Sequence, residues 1–160
     1  MKRILLINSD KEVFVDDEDF EGVSEYQWRL RSDGYIQGSS SINRKNIMLH
    51  RLILRTPVGF DTDHINHNLR DNRRENLRIA THSQNLANGL KRRDGSSQFK
   101  GVRWHKERRK WQARIGYKGK NFHLGLFKSE KEAAIAYDLA ALKYFKKFSY
   151  LNFPERITLV

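Results

Sequence analysis

Residues 61–85 read DTDHINHNLRDNRRENLRIATHSQN, a stretch with five asparagines, three histidines and an adjacent Asp63-His64 pair, in a chain with no cysteine. Hydrolysing a phosphodiester requires a water made nucleophilic near neutral pH. It also requires a cation to offset charge developing on phosphate and leaving oxygen, and alignment of the two. His64 is of the type that accepts a proton in that pH range. Asp63 and carboxamide oxygens are hard ligands suited to Mg²⁺ or Mn²⁺. From His64 the chain runs 12 residues to Asn76 and 21 to Asn85. Taken alone the pattern stays open, because an Asp-His pair is commonly accidental and asparagines also mark turns and caps. Arg70, Arg73, Arg74 and Arg78 fit phosphate clamping and salt bridges to Asp71 or Glu75 equally well. Asn66, Asn68 and Asn72 read as loop formers, His67 as an exposed loop residue and His82 as a surface or helix-start residue. His50 reads equally as packing behind the site or as a phosphate contact.

The elements that must position these groups follow from periodicity and punctuation. The interval after His64 has room for a tight loop, a second strand (NLRIA) and the first turn of a helix opened by Thr81 or Ser83. Asp63 at a strand end and Asn85 on that helix could then meet around one ion. Upstream, residues 1–40 alternate short apolar runs (ILLI, VFV, YQWRL, GYI) with turn-prone polar stretches, which predicts small β strands. NIMLHRLIL, residues 46–54, places Leu49, Leu52 and Ile53 at helical spacing and stops before TPVG.

Downstream, FKGVRWH, KWQARIGY and KNFHLGLF predict three strands, the last two joined by a turn at Lys118-Gly119. Trp111, Ala113, Ile115 and Tyr117 alternate with polar residues or glycine, as do Phe122, Leu124 and Leu126, which is the period of a half-buried strand. SEKEAAIAYDLAALKYF predicts a helix, with Ser129 and Glu132 in capping-box spacing and alanines small enough to pack closely on a sheet. The fold class expected is α+β.

Charge divides the chain. Residues 1–80 carry 13 basic and 13 acidic side chains, residues 81–160 carry 18 and 6, so the whole net charge of +12 lies in the C-terminal half. A basic module facing a polyanion explains that distribution, since Lys and Arg contacts to phosphate release counterions and supply sequence-independent affinity. The long apolar run of a membrane span and the pattern of a signal peptide are both missing. No cysteine means no disulfide and no thiolate metal site. The expectation is a cytoplasmic protein, neither secreted nor membrane-bound.

FKGVRW, KWQARI, HLGLF, EAAIAYDLAALKYF and LNFP together resemble the AP2 domain, the DNA-binding module of plant transcription factors and of some mobile-element nucleases and integrases. The resemblance implies a three-stranded antiparallel sheet packed on one helix over 99–155, with the sheet entering a DNA groove. Its contacts fall on Lys100, Arg103, His105, Arg114, Asn121 and His123. Asn121 and His123 stand where plant members favour Arg and Trp, so base preference does not transfer. Trp104 and Trp111 read as packing residues rather than base contacts.

LHRLI, PVGFDTDHIN, DNRRENLR, AT and SQN resemble the HNH nucleases of the small ββα-metal homing type common in phages, and VDDEDFE, YQWRL and GYI resemble the segment preceding their core. The resemblance implies a nuclease domain over 1–88, and the Gly, Ser, Asp and three consecutive basic residues of LANGLKRRDGSSQ predict a basic linker over 89–98. It implies His64 as general base, Asp63 and Asn85 as ligands of one divalent ion (Mg²⁺, or alternatively Mn²⁺), and Asn76 as the residue that holds the loop or orients His64. Double-stranded DNA is the partner, bound by a monomer in a bacterial or phage-infected cell, and products carry 5′-phosphate and 3′-hydroxyl ends. Asn85 replaces the family's third-position histidine, and His67 stands where a glycine is usual, at a turn. The rival readings are a non-catalytic DNA-binding regulator that keeps the nuclease domain as a scaffold, and an RNA-binding protein.

Overall fold

The computed structural model describes residues 1–40, 46–91 and 95–156, and divides into two compact units, Met1–His82 and Ser83–Val160. In the first unit, β1 (Lys2–Leu6) and β2 (Ser9–Val15) form an antiparallel hairpin, and β1 also pairs in parallel with β3 (Tyr26–Leu30). β4 (Ile36–Ser40) and β5 (Asn46–Met48) complete a sheet of order β2-β1-β3-β4-β5. Helices α1 (Asp17–Ser24) and α2 (Leu49–Leu54) pack with it. The core gathers Ile4, Val13, Val15, Val23, Trp28, Ile36, Leu49, Ile53 and Leu77. Trp28 Nε1 donates to Val23 O at 2.8 Å, and its ring lies so close to Gly38 that any Cβ there would sit 2.7 Å from it.

The strands and α2 follow the sequence expectation; α1 does not. Its DDEDFE start has the composition of a polar turn. Yet Asp17, Glu18 and Asp19 occupy a first helical turn, where the positive end of the helix dipole favours carboxylates, and Val23 is buried while Phe20 packs against the same core.

β6 (Asp61–His64) and β7 (Leu77–Ala80) form a separate two-stranded ladder in register Asp63↔Arg78 and His64↔Leu77. The loop between them is bound to β2. Phe14 N donates to Arg70 O at 2.9 Å, Asn72 N donates to Phe14 O at 2.8 Å, and Phe14 bridges Asp71 in parallel. Arg74, in the 3₁₀ turn Arg74–Asn76, reaches Asp19 at 2.6 Å and Glu18 at 2.9 Å, so α1 holds the same loop.

The second unit contains most of α3 (His82–Asn88) and the sheet β8 (Val102–His105), β9 (Lys110–Tyr117) and β10 (Lys120–Phe127), antiparallel in order β10-β9-β8. α4 (Glu130–Phe145) covers the face formed by Val102, Ala113 and Ile115, burying Ala133, Ala134, Tyr137, Ala141 and Phe145. This is the sheet-on-helix arrangement expected. Gly101 shows how close the packing is. Its φ is +75°, and a Cβ would lie 1.9 Å from the Tyr137 ring.

Two local expectations fail here. Ser129 occupies the N-cap of α4 but makes no side-chain cap bond, so no capping box forms; Glu130 and Glu132 instead place negative charge in the first turn. The stretch expected as a linker is in part tied down. Ser97 is buried and donates to Glu130 Oε1 at 2.7 Å, and Ser96 Oγ accepts from Trp104 N at 2.9 Å. Arg92, Arg93 and Asp94 of that stretch lie outside the described residues. Among the described residues no helix is long and apolar enough to cross a membrane.

Candidate active site

His64 ends β6 and is 3% exposed. Burial holds its imidazole below the ordinary histidine range, opposed by the Asn72 hydrogen bond and the charges of Asp63 and Asp71. Nε2 of His64 lies 3.3 Å from Oδ1 of Asn72, a residue with no exposed surface. Because the amide oxygen only accepts, this contact makes Nε2–H the donor and leaves the basic lone pair on Nδ1.

Behind His64 stands a second imidazole. His50 of α2 meets its ring edge-on at 5.2 Å, and Tyr35 lies 5.1 Å from His50 and 6.2 Å from His64. His50 is buried and its pKa is pushed down to about 3, mainly by burial and then by the His64 charge. Of its two readings, the structure places it as packing behind the site. The Tyr35 hydroxyl is raised by burial and then by the charges of Asp33, Asp63 and Asp61.

Asp63 is 4% exposed, and its Oδ2 accepts from Arg78 Nε at 2.8 Å and Nη2 at 2.7 Å. The ladder explains the pair, since directly opposed residues on antiparallel strands share a face. Asn76 acts on the loop. Its Oδ1 accepts from Asn66 N at 2.9 Å, its Nδ2 donates to Asp71 O at 2.7 Å, and its carbonyl accepts from Ile65 N at 2.8 Å. His67 carries the turn with φ 63°, the left-handed conformation a glycine adopts freely, and its N–H donates to His64 O at 3.1 Å. Asn66 and Asn68 make the local side-chain turns expected of loop formers, Oδ1 to the N–H two residues on, at 2.8 and 3.2 Å.

Three of the four flanking arginines, Arg73, Arg74 and Arg78, resolve toward ion pairs. Arg73 grips Asp71 through two nitrogens at 2.8 Å and touches Glu75 at 2.5 Å; Arg74 turns to α1, and Arg78 to Asp63. His82 contacts Asp61 at 3.0 Å. Thus the structure brings Asp63, His64 and Asn76 together around one loop. Asn85 lies on α3 in the second unit, where its carbonyl accepts from Gly89 N at 3.1 Å. Asn72, expected only as a loop former, presents its side chain to His64, and no spacing signal in the sequence marks it.

The open face of the second sheet is equally definite. Register pairs Arg103 with Gln112, His105 with Lys110, Arg114 with His123 and Asn121 with Gly116, which places Arg103, His105, Arg114, Asn121 and His123 on one side. Gln112 links two of them, accepting from Arg103 Nε at 2.6 Å and lying 3.0 Å from His123 Nδ1. Gln112 belongs to this face by its period, alternating with Ala113 and sharing the side of Arg114. Lys100 is turned away from this role. Its ammonium donates to the carbonyls of Leu86, Ala87 and Gly89 and lies 5.8 Å from the centre of the Tyr150 ring. Trp104 packs edge-on against Trp111 at 5.1 Å, as a packing residue should.

Comparison with known proteins divides the chain in the same way. Residues 48–87 match the HNH endonuclease family and residues 97–147 the AP2 domain. An uncharacterized HNH endonuclease of Acanthamoeba polyphaga mimivirus is 33% identical over 136 residues, covering 81% of this chain and 68% of that protein. An AP2-like ethylene-responsive transcription factor of Oryza sativa subsp. japonica is 29% identical over 150 residues, 78% of this chain but 23% of its own length. One from Arabidopsis thaliana is 48% identical over 52 residues, 31% of this chain and 9% of its own. The chain therefore spans under a quarter of these two plant proteins. The mimivirus relative aligns over most of both chains and the two matched segments lie in the same order as the two folded units, so the chain belongs to the HNH endonuclease family and carries an AP2 domain in its C-terminal part.

Proposed function

We propose that the protein is a DNA endonuclease of the homing type. In this reading a ββα-metal centre hydrolyses phosphodiester bonds, and the AP2 domain places it on double-stranded DNA. The observation that carries the reading is His64 itself. It is a buried imidazole held neutral near pH 7, orientated through Nε2 by Asn72 and adjacent to a buried carboxylate. Neutrality is what a general base needs.

In this mechanism Nδ1 of His64 takes a proton from the attacking water, and Asn72 steadies the imidazolium that forms through Nε2–H. Asn76 keeps the loop closed beneath it. The donor chemistry fits a hard cation, since Asp63 offers a carboxylate and Asn85 a carboxamide oxygen. Hard oxygen donors of this kind would suit Mg²⁺, which binds through one or two protein oxygens. A bound Mg²⁺ (or Mn²⁺) supplies charge neutralisation at the phosphate and leaving oxygen. The products are 5′-phosphate and 3′-hydroxyl ends. With one such site per chain, a monomer on DNA makes a nick, and a double-strand break requires that two copies meet or that one site acts twice. The setting in this reading is a bacterial or phage-infected cell, and the viral relative is consistent with an infected cell.

One observation favours a non-catalytic DNA-binding regulator: the Asp63 carboxylate is engaged by Arg78. Incubating supercoiled plasmid with Mg²⁺, with EDTA, and with His64→Ala separates the two readings. Nicking that needs the metal and disappears in the variant supports the nuclease. Selective DNA binding with no cutting under any divalent ion supports the regulator.

A further inference from the structure

Lys100 is the one residue of the expected DNA-binding set whose side chain points into the protein. Its ammonium meets the carbonyls of Leu86, Ala87 and Gly89, at the end of α3. Those are groups a helix C-terminus leaves without intrahelical donors, and a cation there also complements the negative end of the helix dipole.

The arrangement is built from both sides. On the α3 side, Ala87 is buried in the cluster of Ile115, Tyr137, Ala141 and Phe145, and its carbonyl also accepts from Tyr150 N at 3.1 Å. On the Lys100 side the backbone is clamped. Asn152 Oδ1 accepts from Lys100 N at 2.8 Å, and Asn152 Nδ2 donates to Lys100 O at 3.2 Å. Asn152 is anchored in turn on Asp138 of α4, which is 1% exposed and accepts from Asn152 Nδ2 at 3.0 Å, Asn152 N at 2.9 Å and Phe153 N at 2.9 Å. A continuous chain of bonds thus runs from α4 through Asn152 and Lys100 to the last turn of α3. Gly89 closes that turn on Asn85, the residue proposed as a metal ligand.

We infer that Lys100 is a latch by which the AP2 domain holds α3, and hence a positioning residue for Asn85, rather than a DNA contact. The inference rests on the proposed role of Asn85.

The test uses the full chain with Lys100→Met, and Lys100→Gln as a milder variant that keeps a donor, in three measurements. Hydrogen exchange at the amides of Gly89 and Tyr150 should accelerate roughly tenfold or more, the scale of a lost hydrogen bond to a charged group. The dependence of duplex affinity on salt should keep its slope, whereas loss of a phosphate contact lowers the slope by about one. The Mg²⁺ concentration at half-maximal nicking should rise severalfold, with a smaller rise in Lys100→Gln. A slope reduced by about one with exchange unchanged overturns the latch and makes Lys100 a DNA contact. Faster exchange with an unmoved Mg²⁺ midpoint removes the positioning role. Asn85→Ala then assigns that failure: if it impairs nicking, the positioning role of Lys100 alone is wrong, and if it does not, the reading of Asn85 as a ligand has failed.

Discussion

Asn72 Oδ1 meets His64 Nε2 at 3.3 Å while the N–H of the same asparagine is held by Phe14 O at 2.8 Å, so a strand from the start of the chain sets the orientation of the imidazole. The carboxamide has a second tie, Nδ2 to Leu69 O at 3.1 Å, which prevents it from turning over. Asn72 therefore presents oxygen, not nitrogen, to His64.

Replacing that oxygen with a charged one has a definite sign. Asn72→Asp puts a carboxylate against Nε2–H and favours the imidazolium, so the His64 pKa rises and the acid limb of the nicking rate moves to higher pH. Asn72→Leu removes the hydrogen bond that raises it, so the limb moves lower while the maximal rate falls by roughly 10- to 100-fold as orientation is lost. Single-turnover rates between pH 4 and 8 check both directions.

His50 links the site to acid stability. Its folded pKa of about 3 lies below the ordinary value of 6.5, so the unfolded chain binds the proton more readily. Stability is full above pH 6.5 and falls as pH drops from there toward 3, by a total on the order of a few kcal/mol. His50→Phe keeps a ring against Tyr35 and His64 without titrating, and should flatten that part of the curve. Urea midpoints of both proteins at pH 7 and pH 4.5 measure the difference; equal losses in the two would rule out His50 as the source.

Gly101→Ala tests the AP2 core. The added methyl meets the Tyr137 ring at 1.9 Å and φ is +75°, so overpacking and left-handed strain act together. A loss of about 3 kcal/mol or more is expected, seen as a lower unfolding midpoint of the C-terminal part with DNA affinity falling alongside.

Gln112→Ala addresses the open face. It frees Arg103 and His123 from their shared partner without removing a charge. Discrimination between the preferred duplex and a single-base mismatch should shrink by about 1–3 kcal/mol, while the salt slope of binding stays unchanged. Competition binding against mismatched duplexes is the measurement.

How much of this was legible in the chain differs by element. β9 could be read directly, because Trp111, Ala113, Ile115 and Tyr117 alternate with residues that stay on the far side. α4 could also be read, from its alanines. α1 could not: three consecutive acids have the composition of a turn, and only the core beneath Val23 makes them the start of a helix. Asp63, His64 and Asn76 stood out by type and spacing, and the geometry adds that Asn76 serves the loop rather than the imidazole.

What the amino-acid order determined by itself was the periodic structure, the location of the positive charge, and which short segment carries the proton-accepting and hard-oxygen groups. These depend on neighbours within a few positions, where strand and helix periods and side-chain chemistry are local. Partner choice was left to the tertiary structure. Phe14 fixes Asn72, Arg78 takes Asp63, and Asn152 clamps Lys100 from 52 positions away, turning an expected DNA contact into a helix cap. Such pairings are chosen by packing, which brings distant groups to hydrogen-bond distance and requires each buried donor to find an acceptor, and no local pattern encodes which one it will be.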